Sequence, residues 1–206
     1  MHQKRRFALL AIMTLMINLV ACTTLPPKNS NDICGIFQQY NTWYWDAQKT
    51  EKRWGVPIYV TMAIVHQESR FSSDAKPPRE KLLWVIPWFR PTSSFGYSQA
   101  VNSTWRHYQR DTGKSSANRD AFGSAIDFIG WYVTQINKKL GISKSDTYSL
   151  YLAYHEGMGG YQRGTYKKKK WLLAVARNVK RQAWTYQMQL AQCQSKLPKK
   201  PWWRIW

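Results

Sequence analysis

The sequence predicts a mainly α-helical fold in one domain, interrupted by a single proline- and aromatic-rich insertion. Three observations predict it. The chain has 206 residues, 44% of them hydrophobic, which suffices to bury one core without a metal. Its clearest apolar patterns run at helical spacing: Phe122, Ala125, Ile126, Ile129, Val133, Ile136 and Leu140 form one stripe, and Leu172, Val175, Val179, Ala183, Tyr186, Leu190 and Cys193 form another. Glycine or proline closes most of the patterned segments, and no internal repeat is visible.

Residues 1–21 stand apart as a targeting segment. Lys4, Arg5 and Arg6 precede an apolar run from Phe7 to Val20 that is too short for a comfortable membrane span. The run ends in Leu19-Val20-Ala21-Cys22, which resembles the bacterial lipobox, where the Cys is lipidated and becomes the new N-terminus. The alternative is an ordinary secretory signal that happens to contain a Cys. Thr23 in place of Asp resembles lipoproteins sent to the outer membrane, facing the periplasm. Residues 22–31, with Pro26 and Pro27, then read as the lipidated Cys and a tether. An oxidising envelope allows Cys34 and Cys193 to pair and tie the two ends of the domain together; the alternative is two separate buried thiols.

The domain proper occupies 32–195. Asp32 to Trp54 reads as a first helix, closed by Gly55 and Pro57. Ile58 to Glu68 is apolar almost all round and so a buried core helix. Residues 74–95 carry Pro77, Pro78, Pro87 and Pro91, which exclude long regular structure and leave room for a short strand pair around Leu82 to Ile86. Helices follow at Asn102 to Thr112 (stopped by Gly113), Phe122 to Leu140 (stopped by Gly141), and Thr147 to His155 (ended by Gly157, Gly159 and Gly160). A last helix ends near Cys193. Trp105, Trp131 and Trp184 fall within helices and are expected in the core. Residues 196–206 form a basic tail with Trp202, Trp203 and Trp206. These suit a membrane interface or a wall polymer, but a free tail with three Trp would be sticky, so folding back onto the domain is the favoured reading.

Lys and Arg number 31 against 11 Asp and Glu, a net charge of +20 that becomes +17 once 1–21 with its three cations is removed. Such a balance calls for an anionic partner. No metal or cofactor signature is present. None of His2, His66, His107 and His155 sits in a His-Glu-x-x-His arrangement, and no phosphate-binding Gly-rich loop or nucleophile elbow occurs.

Because acids are scarce, Glu68 stands out at the end of the apolar helix. Burial and the negative end of the helix dipole should both raise its pKa, as general-acid cleavage of a glycosidic bond requires. The plain alternative is a Glu that pairs Arg70 or caps a loop. The surrounding motifs favour the first. Glu68-Ser69-Arg70-Phe71 resembles the Glu-Ser-x-Phe motif of the soluble-lytic-transglycosylase (SLT) family, whose fold is lysozyme-like. Gly96-Tyr97-Ser98-Gln99 resembles its Gly-Leu-Met-Gln motif, and Ala153-Tyr154-His155-Glu156-Gly157 its Ala-Tyr-Asn-x-Gly motif. The three occur in the family's order and cover roughly 57–166.

The resemblance implies a lytic transglycosylase that cleaves the β-1,4 bond between N-acetylmuramic acid and N-acetylglucosamine in peptidoglycan glycan strands, leaving a 1,6-anhydro end. It implies Glu68 as acid and base, Tyr154 orienting that carboxyl, and Ser69, Tyr97, Ser98, Gln99, His155 and Gly157 near the sugar cleft. Two departures matter. Tyr97-Ser98 in place of Leu-Met makes that wall more polar. His155 in place of Asn titrates near neutral pH and should make activity more pH-sensitive. Glu156 reads as a salt-bridge partner for a nearby cation. Trp84 and Trp88 in the insertion either stack on sugar rings or pack the insertion onto the domain.

Competing readings are a non-catalytic glycan-binding lipoprotein, a hydrolytic lysozyme, and a nucleic-acid binder suggested only by charge. The lipobox argues against nucleic acid, since it takes the chain out of the cytoplasm, and for a membrane partner through the lipid anchor.

Overall fold

The computed structural model describes residues 24–77 and 92–203, with the backbone of 81–82 and 86–87. Residues 1–21, Cys22, Trp84, Trp88 and Trp206 lie outside these. The described chain is mainly helical: α1 Ile33–Gln39, α2 Asn41–Trp54, α3 Ile58–Ser69, α4 Asn102–Thr112, α5 Phe122–Leu140, α6 Thr147–Gln162 and α7 Lys170–Cys193. Two short strands, β1 Lys81–Leu82 and β2 Ile86–Pro87, pair antiparallel within the insertion.

The fold is arranged around α3. Val60, Met62, Ala63, Ile64 and Val65 are inaccessible to solvent, so the helix has no polar face to turn outward. It is enclosed by α2, α5 and α7. Pro57 precedes its first turn, where the missing N–H costs nothing. Arg70 and Phe71 then reverse the chain in left-handed conformations, φ 51° and 63°, which non-glycine residues rarely adopt. Burial of the Phe71 ring against Trp43, at 5.9 Å between centroids, holds that reversal.

A buried carboxylate ties α2, α4 and α5. Asp127 accepts hydrogen bonds from Trp54 Nε1 (3.0 Å), Tyr108 Oη (2.7 Å) and Lys114 Nζ (2.6 Å). Burial opposes its ionisation, yet these donors prevail and hold its pKa below the usual carboxylate value.

The chain ends meet on α7. Cys34 and Cys193 form a disulfide across 159 residues of sequence. Beside it, the Ile33 N–H donates to Gln189 Oε1 at 3.0 Å, and the Tyr186 hydroxyl donates to the Ser30 carbonyl. All described core side chains lie between Ile33 and Leu197, so the chain from residue 23 onward contains the whole of the described core.

Three expectations are corrected. The helix read over Asp32 to Trp54 is broken at Tyr40, with φ −130° and ψ 77°. The apolar period runs through Tyr40 unbroken; the break follows from tertiary contacts, the Tyr40 hydroxyl donating to the Leu25 carbonyl at 2.8 Å and its ring stacking on Trp43. The helix read over Thr147 to His155 does break at Gly157, at φ 72° and ψ 156°, but a second helical stretch not expected there carries α6 on to Gln162. Trp184 is 61% exposed rather than in the core, because it lies on the face of α7 opposite the buried Val179, Ala183 and Tyr186. Trp105 and Trp131 are buried as expected.

Removing the disulfide frees a long loop in the unfolded chain, which should cost on the order of 4 kcal/mol. Urea unfolding of the Cys34→Ser, Cys193→Ser double variant should show that loss with helical content retained before the transition.

Candidate active site

A cleft of about 450 Å3 opens where α3, α5, α6 and the 92–104 segment meet. Glu68, Gln99, Tyr154, His155 and Gly157 line it, with Phe128 and Tyr132 of α5 forming an apolar wall. The three motifs are separated in sequence but converge here.

One aromatic cluster joins the first two motifs to α2 and α5. Trp43 stacks on Phe122 at 4.1 Å and 7° and meets the edge of Tyr97 at 5.6 Å. Phe71, from the turn after Glu68, completes the cluster. The turn after α3, the 96–99 loop and the start of α5 are thus fixed to one ring of α2. Gly96, at φ 71°, is required for this: a Cβ there would lie 2.2 Å from the Arg119 carbonyl oxygen. Arg119 braces the same loop, donating to the carbonyls of Ser93 and Ala100 at 2.8 Å each.

Glu68 sits at the cleft floor with Oε1 sealed from solvent and without a hydrogen-bond partner. Burial pushes its pKa from 4.5 up to about 7, against an opposing hydrogen bond from Tyr151. This carboxyl therefore holds its proton near neutral pH. Tyr154 is buried beside it, and the Glu68 charge helps raise its phenol pKa, but its hydroxyl donates to the Ser98 carbonyl at 2.7 Å. Tyr154 therefore clamps the Ser98 backbone, and Tyr151, one turn earlier on α6, is the tyrosine that bonds the carboxyl. The sequence reading missed Tyr151; its spacing of three residues from Tyr154, on the same helix face, was the available signal.

The remaining expected residues divide. Gln99 lines the cleft, its side-chain amide fixed by donation to Ala75 and Gly96 carbonyls at 2.9 and 2.8 Å. Its own φ of 48° adds a strained position beside the site. Ser69 turns back into α3, donating to the Val65 carbonyl at 3.2 Å, so it supports the helix end and does not line the cleft. Tyr97 is 1% exposed and packs in the aromatic cluster, so the wall is not made more polar by it. Ser98 is likewise buried, with its Oγ lacking a partner. The left-handed Gly96 turns the following residues inward, which residue type alone does not reveal.

His155 and Glu156 form the far lip. His155 Nδ1 lies 3.3 Å from Glu156 Oε1, and Lys169 Nζ lies 2.7 Å from the same oxygen. Burial works against Glu156 ionisation, but Lys169, Thr165 and His155 hold its pKa below the ordinary value. The expected salt bridge of Glu156 is present. The cleft thus pairs one carboxyl that keeps its proton with one that does not. Among the described residues no group of His, Cys, Asp and Glu side chains is arranged to hold a metal ion.

A family profile described as "Transglycosylase SLT domain" matches residues 10–193. The chain belongs to the transglycosylase SLT-domain family. No curated protein gives a significant match. The mainly helical fold agrees with the lysozyme-like architecture of that family, and membership implies peptidoglycan glycan as the substrate class.

The raised Glu68 pKa has a stability consequence whose sign is fixed. The folded chain keeps a proton that the unfolded chain releases near 4.5, so this contribution is complete below about 4.5 and lost as pH rises through about 7. Glu68→Gln, which does not titrate, should gain stability relative to the parent over that window, approaching about 3 kcal/mol at pH 8. Denaturant unfolding at pH 4.5 and pH 8 checks this; a gap that does not grow with pH would contradict it.

Proposed function

We propose that the protein is a peptidoglycan lytic transglycosylase in which Glu68 is the single acid and base. The observation that carries this reading is the enclosure of the Glu68 carboxyl at the floor of the cleft, which raises its pKa to about 7. In the first step the Glu68 proton passes to the glycosidic oxygen and the C1–O bond between N-acetylmuramic acid and N-acetylglucosamine breaks. The leaving sugar departs with that proton as a hydroxyl. In the second step the Glu68 carboxylate takes the proton of the muramic C6 hydroxyl, whose oxygen bonds C1. The product carries a 1,6-anhydro end and Glu68 is again protonated, so no water is consumed.

Tyr151 fits the switching role. Its hydroxyl favours the ionised carboxyl, which limits how far burial can raise the pKa. Tyr132 offers a ring to the sugars, with Phe128 buried behind it. Gln99 and Gly157 shape the floor and His155 the lip. Trp84 and Trp88 would add stacking faces from the insertion. The chain is further proposed to sit at the outer membrane through a lipidated Cys22, facing the periplasm.

A hydrolytic reading has one observation in its favour, the Glu156 carboxylate in the same cleft. A retaining or inverting hydrolase needs a second carboxylate free to attack or to activate water. Glu156 is instead engaged by Lys169 and Thr165.

Digestion of purified sacculi by residues 23–206 should release anhydro-muropeptides detectable by mass spectrometry. Glu68→Gln should release none, a loss of at least about a thousandfold. Reducing ends in place of anhydro ends would favour hydrolysis. Equal release by both proteins would remove Glu68 from the reaction.

A further inference from the structure

The tail does not fold its two described tryptophans back. Trp202 and Trp203 are 88% and 64% exposed, contrary to the favoured sequence reading. The root of the tail is nevertheless fixed. Leu197 is buried, and Trp45 Nε1 donates to the Pro198 carbonyl at 2.8 Å. Beyond that point the two indoles meet edge to face at 5.9 Å and are presented together.

The opposite end of the chain emerges at the same place. Leu25 is 72% exposed, and its carbonyl accepts the Tyr40 hydroxyl. Thr24 hydrogen-bonds the Tyr97 hydroxyl. Tyr40 also lines, with Trp45 and Trp203, a surface recess of about 470 Å3. The exit of the N-terminal segment and the tryptophan pair thus share one side chain. Cys22 lies two residues before Thr24, a reach of about 7 Å at most.

The charge there is positive. Lys199 and Lys200, which lead into the tryptophan pair, and Lys28, whose N–H donates to Gln39 of the recess, are exposed, and no acidic residue occurs after Glu156 in the sequence. Asp46 is near enough for Lys200 to act on its titration, but it is largely buried and Lys49 and Lys114 act on it too.

We infer that this face is a second, non-covalent membrane contact whose partner is an anionic lipid surface. Trp202, Trp203 and Leu25 enter the headgroup layer, and Lys199 and Lys200 meet the lipid phosphates. The placement rests on the proposed lipid anchor at Cys22, because that anchor brings this face to the bilayer. Indoles beside lysines suit a boundary that is apolar on one side and anionic on the other. The contact would orient the domain relative to the membrane, which a flexible lipid tether alone does not do.

The test uses unlipidated residues 23–206 and vesicles of phosphatidylethanolamine with phosphatidylglycerol, against vesicles of phosphatidylcholine. Co-sedimentation and tryptophan emission are the readouts. Binding to the anionic vesicles with a blue shift is expected. It should fall about fivefold for each of Lys199→Gln and Lys200→Gln. It should be lost in the Trp202→Ala, Trp203→Ala pair, with sacculus digestion unchanged. Absence of binding, or equal binding by the tryptophan pair variant, overturns the inference. So does a tryptophan-dependent dimer in sedimentation velocity, or a tryptophan-dependent loss of sacculus binding with vesicle binding intact. Fatty-acid labelling of the full chain and its Cys22→Ser variant tests the anchor separately, so failure of one reading is distinguishable from failure of the other.

Discussion

A helix with no polar face must be enclosed, and the rest of this structure follows from enclosing α3. Apart from Tyr59, every side chain from Ile58 to Val65 is buried. α2, α5 and α7 therefore pack around it, and the disulfide on α7 closes the arrangement. The consequence falls on the last turn, where Glu68 is the first carboxyl after the apolar run. Enclosure takes one of its oxygens out of water, and that loss of solvation, more than any neighbouring charge, sets its proton affinity. Core packing and acid chemistry are here two results of the same burial.

Such an arrangement carries a stability cost that the surroundings absorb. The reversal after Glu68 uses two left-handed residues that are not glycine, and Gln99 adds a third across the cleft. Each is held by something specific: Phe71 by the Trp43 stack, and Gln99 by two carbonyls that accept its amide. Strain is concentrated around Glu68 and Gln99 at the cleft, with rigid aromatic packing immediately behind it.

Much of this was legible in the sequence. The stops of α4 and α5 were marked by Gly113 and Gly141, each left-handed as a helix cap. The apolar composition of α3 announced its burial, and burial announced the shift of Glu68. The resemblance of the second and third motifs to those of the family pointed to Gln99, His155 and Gly157, which line the cleft. What was not legible depended on tertiary contacts or on backbone direction. The break at Tyr40 comes from a contact with Leu25, far from any local pattern. Tyr97 and Ser98 face inward because Gly96 turns them. Trp184 shares a helix with core residues, and only its angular position separates it from them. Asp127 was hidden in an apolar stripe, and its three donors come from three other segments.

Glu68 can be titrated directly by carbon NMR of its side-chain carboxyl in labelled residues 23–206. A midpoint near 7 in the parent chain is predicted, moving higher in Tyr151→Phe, where the hydrogen bond that favours the carboxylate is removed. A midpoint near the ordinary 4.5, unmoved by loss of the Tyr151 hydroxyl, would contradict the account, because burial of this carboxyl would then not govern its chemistry.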